Sequence, residues 1–192
     1  MAGDITGATG KLKEDLVGLI RKLSYREGKF ILTSGKESNF YVDIKNVALH
    51  PEGARAIGRL TWQMLSPNDF AGVGGPTLGA DPLATALSLA AYDAGKVMPA
   101  FIIRKEAKKH GTSQWIEGRE LLAEKCELLV VEDVVTTGMS SLKAIEKVRA
   151  EGFKVTTLVA VLDRQEGGEA ALQEAGVKLV ALTRIDEIRK AR

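Results

Sequence analysis

Two adjacent carboxylates, Glu132 and Asp133, follow four apolar residues, Leu128 to Val131, and precede two hydroxyls and a glycine, Thr136, Thr137 and Gly138. The apolar run reads as a strand buried on both faces. A helical pattern opens near Ser140 and carries Leu142, Ile145 and Val148 on one face. A strand that passes through a small polar turn into a helix N-terminus makes an anion site. Free backbone N–H groups and the positive end of the helix dipole point into it. The turn suits one phosphate, and the carboxylates suit sugar hydroxyls or a hydrated metal. An acid pair at a strand end is costly without a ligand or partner. Together these residues describe a site for a phosphorylated sugar. No G-x-x-x-x-G-K-[ST] run is present, which argues against a P-loop. Gly72 to Thr77 lacks the last glycine of the dinucleotide fingerprint.

Three further segments carry chemistry. Arg104 to Gly111 holds four cations and a histidine within seven residues, directly after an apparent strand, Ala100 to Arg104. The segment from Lys105 to Gly118 shows no apolar periodicity and reads as a long loop, able to close on a diphosphate and exclude water. Its other reading is a solvated charge run. Trp115 is either a packing residue for that loop or a lone apolar anchor. Arg164 follows a buried strand at the same sheet edge and has the planar fork that grips a carboxylate with two hydrogen bonds. Its alternative is a salt bridge with Asp163. Phe30 to Asp43 reads as a hairpin in which Tyr41 stacks on a flat ring, or in which Phe40 and Tyr41 are core.

The elements that must position these groups alternate between helix and strand. Helices are expected over about 11–27, from Pro51, over 81–94, from Ser140, over 169–174 and over 185–191. Strands are expected near 30–32, 39–44, 70–74, 100–104, 128–131, 154–162 and 177–182, with the 105–118 loop between. Residues 1–10 read as a frayed terminus. Such alternation implies an α/β fold: a central, mostly parallel sheet flanked by helices, with ligands at the carboxyl ends of the strands. At 192 residues one domain is expected, long enough to bury a sizeable core. The net charge of +2 gives no reason to expect nucleic-acid or membrane binding, and no run reaches membrane-spanning length. The single cysteine, Cys126, excludes an internal disulfide and points to a reducing, cytoplasmic compartment.

The run from Leu128 to Ser141 resembles the phosphoribosyl-diphosphate (PRPP) signature of type I phosphoribosyltransferases. Arg104 to Gly111 resembles the R-K-x-x-K-x-H-G loop of orotate phosphoribosyltransferases, and Asp163 to Glu166 their D-R-Q-E segment. Phe30 to Tyr41 is similar to their F-x-L-x-S-G-x-x-S-x-x-Y/F hairpin. The resemblance covers about 30–187 and implies the type I fold, with a small N-terminal hood from about 1–45 plus C-terminal segments. It implies transfer of the phosphoribosyl group of PRPP to N1 of orotate, with Mg2+ bound through PRPP and water and with no direct protein ligand.

The resemblance also assigns roles by position. Arg104, Lys105, Lys108 and His110 contact the diphosphate, and Glu132 and Asp133 hold the ribose hydroxyls. Thr136, Thr137, Gly138, Met139 and Ser140 anchor the 5-phosphate, Val134 and Val135 belong to the same PRPP-binding run, and Arg164, Thr136 and Tyr41 receive orotate. Lys105, Lys108, His110 and Asp133 are the catalytic set. A homodimer with shared active sites is implied, the loop reaching the neighbouring subunit. Thr33 and Gly79 stand where some relatives carry lysine. The alternatives are a phosphoribosyltransferase for another nucleobase and a PRPP-sensing regulator on the same fold.

Overall fold

The computed structural model describes residues 5–31, 37–65, 69–106 and 114–191. In chain order they form α1 (Ile5–Leu23), β1 (Tyr25–Ile31), β2 (Glu37–Val42), α2 (Lys45–Ala48), α3 (Pro51–Met64), β3 (Gly72–Pro76), α4 (Asp81–Asp93), β4 (Ala100–Ile103) and β5 (Ile116–Glu117). A 3-10 turn at Arg119–Leu121 leads to β6 (Leu128–Val135), α5 (Met139–Ala150), β7 (Thr157–Asp163), α6 (Gly168–Glu174), β8 (Lys178–Arg184) and α7 (Ile185–Lys190). The main sheet runs β5-β4-β3-β6-β7-β8, and only β5 is antiparallel to its neighbour. β1 and β2 form a separate antiparallel hairpin.

The apolar run of β6 lies between two cores. Leu128 and Val130 pack with Phe101, Leu158, Ile145 and Val148 on the α5 and α6 side. Leu129 and Val131 pack with Val159, Leu60, Leu83 and Leu16 on the side covered by α1, α3, α4 and α7. Successive strand residues point to opposite faces, so a strand covered on both faces must be apolar throughout.

Several elements differ from the sequence expectation, each for a long-range reason. α1 begins at Ile5, inside the expected frayed terminus, and ends at Leu23 rather than continuing to Glu27. Tyr25, Arg26 and Glu27 instead pair with Val42, Tyr41 and Phe40. Ser24 marks the break: its Oγ donates to the Asp43 carbonyl at 2.6 Å. Where a loop is expected over 105–118, Ile116 and Glu117 pair with Ile103 and Ile102. Ile116 is buried beneath this edge, which is worth roughly 1.5–3 kcal/mol and outweighs the lack of periodicity. β6 continues past Val131 to Val135, so the acid pair lies inside the strand. α2 is too short to show a helical period.

Candidate active site

Because β3, β4, β6 and β7 run parallel, their carboxyl ends share one edge. A cavity of about 370 Å3 opens there. Thr77 and Gly79 line it beyond β3, Arg104 and Lys105 beyond β4, Glu132 and Asp133 from β6, and Ser140, Lys143 and Lys147 from α5. Two carboxylates and four cations therefore converge from three strand ends and one helix. Lys143 and Lys147 are not anticipated from motif order. Their signal is helical spacing: with Ser140 they recur at i, i+3 and i+7 on the cavity side of α5.

Strand alternation separates the two acids. Glu132 shares the parity of Val130 and turns towards α5, where Ser141 Oγ donates to its Oε2 at 3.1 Å. It is 6% exposed. Burial, and then the neighbouring Asp133 charge, push its carboxyl up to about 8. Asp133 turns to the opposite face. Its Oδ1 accepts the Val134 N–H at 2.8 Å, and its Oδ2 lies 3.9 Å from Lys45 Nζ. The turn after β3 is drawn against this carboxylate: a Cβ on Gly79 would stand 2.5 Å from Asp133 Oδ2. That close approach leaves no room for a side chain without moving the acid. The Thr77–Leu78 peptide in the same turn is cis.

The expected phosphate turn, Thr136 to Gly138, joins β6 to α5. Gly138 takes φ 79° as the residue before the helix, a conformation side chains rarely adopt. Gly168 N–H donates to the Thr136 carbonyl at 3.1 Å, and a Cβ on Gly168 would meet Val135 Cγ1 at 2.4 Å. The segment after β7 is thus laid onto the turn, holding Thr136 beside Arg164. Thr137, Met139 and Ser140 are exposed at the mouth. The side chains of Val134 and Val135 belong to the two cores, so those residues can offer a ligand only backbone.

Arg164 is held from two sides. Its Nε donates to Glu166 Oε1 at 2.9 Å, rather than pairing with Asp163, and its guanidinium lies 4.8 Å from the centre of the Phe40 ring. Arg189 of α7 approaches the same ring at 5.8 Å. Glu37 to Phe40, Arg164, Glu166 and Arg189 enclose about 300 Å3. Tyr41, next to Phe40 in the strand, faces the other way and sets its half-exposed ring 5.6 Å from Phe30. Phe40 and Arg189 had no sequence signal as site residues, because only the hairpin's docking brings them to Arg164.

The cationic segment is described up to Glu106. Arg104 pairs with Glu117 across β4 and β5. Lys147 Nζ donates to the carbonyls of Arg104 and Lys105 at 3.0 and 3.1 Å and stands 4.1 Å from the centre of the Trp115 ring. Glu151, one turn on, accepts the Trp115 N–H at 2.8 Å. α5 therefore carries the expected phosphate turn at its start and, further along, contacts the chain on both sides of the cationic segment. Lys108 and His110 lie outside the described residues. Burial raises the Cys126 thiol above its ordinary pKa, so it is a poor nucleophile.

No family model matches the chain. It is 44% identical over 185 residues to an orotate phosphoribosyltransferase of Nostoc sp., covering 96% of this chain and 89% of that protein. The chain belongs to the orotate phosphoribosyltransferase family. It is likewise 43% identical to an orotate phosphoribosyltransferase of Synechocystis sp., over 96% of this chain and 92% of that one. The fold matches the crystal structure of Mycobacterium tuberculosis orotate phosphoribosyltransferase in complex with PRPP. The TM-score is 0.76 at 33% identity, over 93% of this chain and 99% of that chain. The fold is the type I phosphoribosyltransferase fold, and this orotate phosphoribosyltransferase-family enzyme transfers the phosphoribosyl group of PRPP to orotate in pyrimidine biosynthesis.

Proposed function

We propose that PRPP occupies the cavity at the β6 edge and that orotate enters between it and the Arg164 pocket. The observation that carries this reading is the convergence of Glu132, Asp133, Arg104, Lys105 and Ser140 on one cavity. The backbone N–H groups of the Thr136–Ser140 turn receive the 5-phosphate at the start of α5. Asp133 and Glu132 take the ribose hydroxyls. Arg104 and Lys105, with Lys108 and His110 by family resemblance, neutralise the diphosphate. Arg164 receives the orotate carboxylate, Thr136 lies beside it, and the hood residue facing this pocket is Phe40 rather than the expected Tyr41, whose ring lies on Phe30.

N1 of orotate approaches C1 of the ribose as the C1–O bond to diphosphate breaks. The electron pair of that bond leaves with the diphosphate, positive charge builds on the ribose ring, and the N1–H bond of orotate breaks, its proton passing to solvent or to the departing diphosphate. No protein atom bonds to the sugar, so the residues act by positioning and by charge. The oxygen-only donor set of Glu132 and Asp133 beside cations for phosphate fits hydrated Mg2+ carried on the substrate diphosphate, where it supplies charge neutralisation. Asp133 and Glu132 would hold it through water.

The chain acts as one catalytic domain with its hood, in a homodimer whose subunits share loops, as the family resemblance implies. The single cysteine supports a cytoplasmic setting. No described helix is long and apolar enough to cross a membrane. The test is the fall in orotate absorbance when PRPP and Mg2+ are added, run beside adenine, guanine and uracil. Turnover of orotate alone supports the assignment; turnover of another base in its place refutes it.

A further inference from the structure

A lysine outside every recognised motif reaches the acid pair. Lys45 opens α2, directly after the hood strand β2 and the dipeptide Asp43–Ile44. Its Nζ lies 2.8 Å from Asp43 Oδ1 and 3.9 Å from Asp133 Oδ2. Asp43 is itself fixed. Its Oδ1 also accepts the Lys45 N–H at 3.1 Å, and its carbonyl accepts Ser24 Oγ at 2.6 Å. Ile44 and Val47, on either side, are fully buried. The base of the lysine is therefore rigid, while its side chain is 45% exposed and reaches towards Asp133. Among the described residues, Lys45 is the one cation within 4 Å of Asp133. On its other flank Asp133 meets Gly79, which has no side chain to offer charge.

We propose that Lys45 is a positioning residue for phosphoribosyl transfer, linking the hood to strand β6 and holding the Asp133 carboxylate aimed at the ribose hydroxyls. The proposal rests on the cavity being the PRPP site. Its physical basis is geometric: the ammonium reaches Asp133 Oδ2 from the hood side while Gly79 closes on the same carboxylate from the β3 turn, so among the described residues the acid has one cationic neighbour to set its direction. Asp43 keeps the ammonium in place whether or not substrate is bound.

The experiment compares wild type, Lys45→Met, Lys45→Arg, Asp133→Asn and the Lys45→Met/Asp133→Asn double variant in steady-state transfer from PRPP to orotate, with thermal midpoints measured alongside. Lys45→Met should raise KM for PRPP about three- to fivefold, the upper end for a partly screened ion pair, with KM for orotate within about twofold and the midpoint near wild type. Lys45→Arg should recover most of the loss. In the Asp133→Asn background the methionine should add little, because its effect passes through Asp133. An unchanged PRPP KM, equal losses for both substrates with a lowered midpoint, or full additivity in the double variant would each overturn the proposal. Wild-type turnover in the same assay separates the two ideas: an inactive wild type would refute the assigned reaction, whereas an active wild type with a silent Lys45→Met would refute only the role of Lys45.

Discussion

Arg164→Ala tests the proposed contact to the orotate carboxylate, the group that bases such as adenine and uracil lack. The side chain is 9% exposed, and its surroundings define two losses of different kind. Towards the fold, the substitution removes the Glu166 pair and the stacking on Phe40. The pair is near the surface and contributes about 0.2–1 kcal/mol, and a cation over an aromatic ring about 0.5–2 kcal/mol. Their sum, roughly 1–3 kcal/mol, shifts the thermal midpoint by about 2–4 °C per kcal/mol for a chain of this size. Towards the substrate, it removes a charge-assisted contact worth roughly 1.5–3 kcal/mol, and each 1.36 kcal/mol is tenfold. kcat/KM for orotate should therefore fall about 10- to 150-fold, while PRPP binding, measured by calorimetry, stays within about twofold. Arg164→Lys should recover little, since an ammonium cannot make the two-pronged bond. Equal loss of PRPP binding, or an unchanged orotate KM, would refute the reasoning.

Glu132→Gln tests the buried acid through pH. Its carboxyl is raised to about 8 in the fold, so between about 4.5 and 8 the folded chain holds a proton that the unfolded chain has released. Stability from this group is therefore lost as pH rises through that window, and glutamine, which never ionises, escapes the loss. The midpoint of the variant relative to wild type should rise from pH 5 to pH 8, and a constant difference would refute the shift. Gly79→Ala should push the Asp133 carboxylate aside, since the added Cβ would lie 2.5 Å from its Oδ2. KM for PRPP should rise about tenfold, within the roughly 1–3 kcal/mol of an overpacked site, and a large fall in midpoint with normal kinetics would show the turn to be structural only. Mixing Lys108→Ala with Asp133→Ala subunits tests the shared site: if the loop acts on the partner, random exchange restores roughly a quarter of the sites, and no regain after confirmed exchange would exclude that arrangement.

The order strand, acid pair, hydroxyl–glycine turn, helix is a local property, and the sequence alone determined it. Strand, turn and helix-start preferences lie within a few residues, so the strand–turn–helix order of Leu128 to Ser141 is legible from local pattern alone. The alternation of helices and strands likewise fixed a parallel sheet and hence the edge where the site lies. The same locality made Arg104, Lys105 and Arg164 legible as residues just beyond strand ends. What it could not decide was the length of β6, because an acid continues a strand only when something distant receives it. Ser141 receives Glu132, and Gly79 makes room for Asp133. β5 is two residues long and has no period to read; it exists because β4 offers an edge and the core takes Ile116. Phe40 under Arg164, Lys147 on the carbonyls of Arg104 and Lys105, and Lys45 beside Asp133 join residues far apart in the chain. No local pattern encodes such pairs. They form when buried surfaces lock the hood and α5 against the sheet, so the chemistry was written in the sequence and its electrostatic setting was decided by packing.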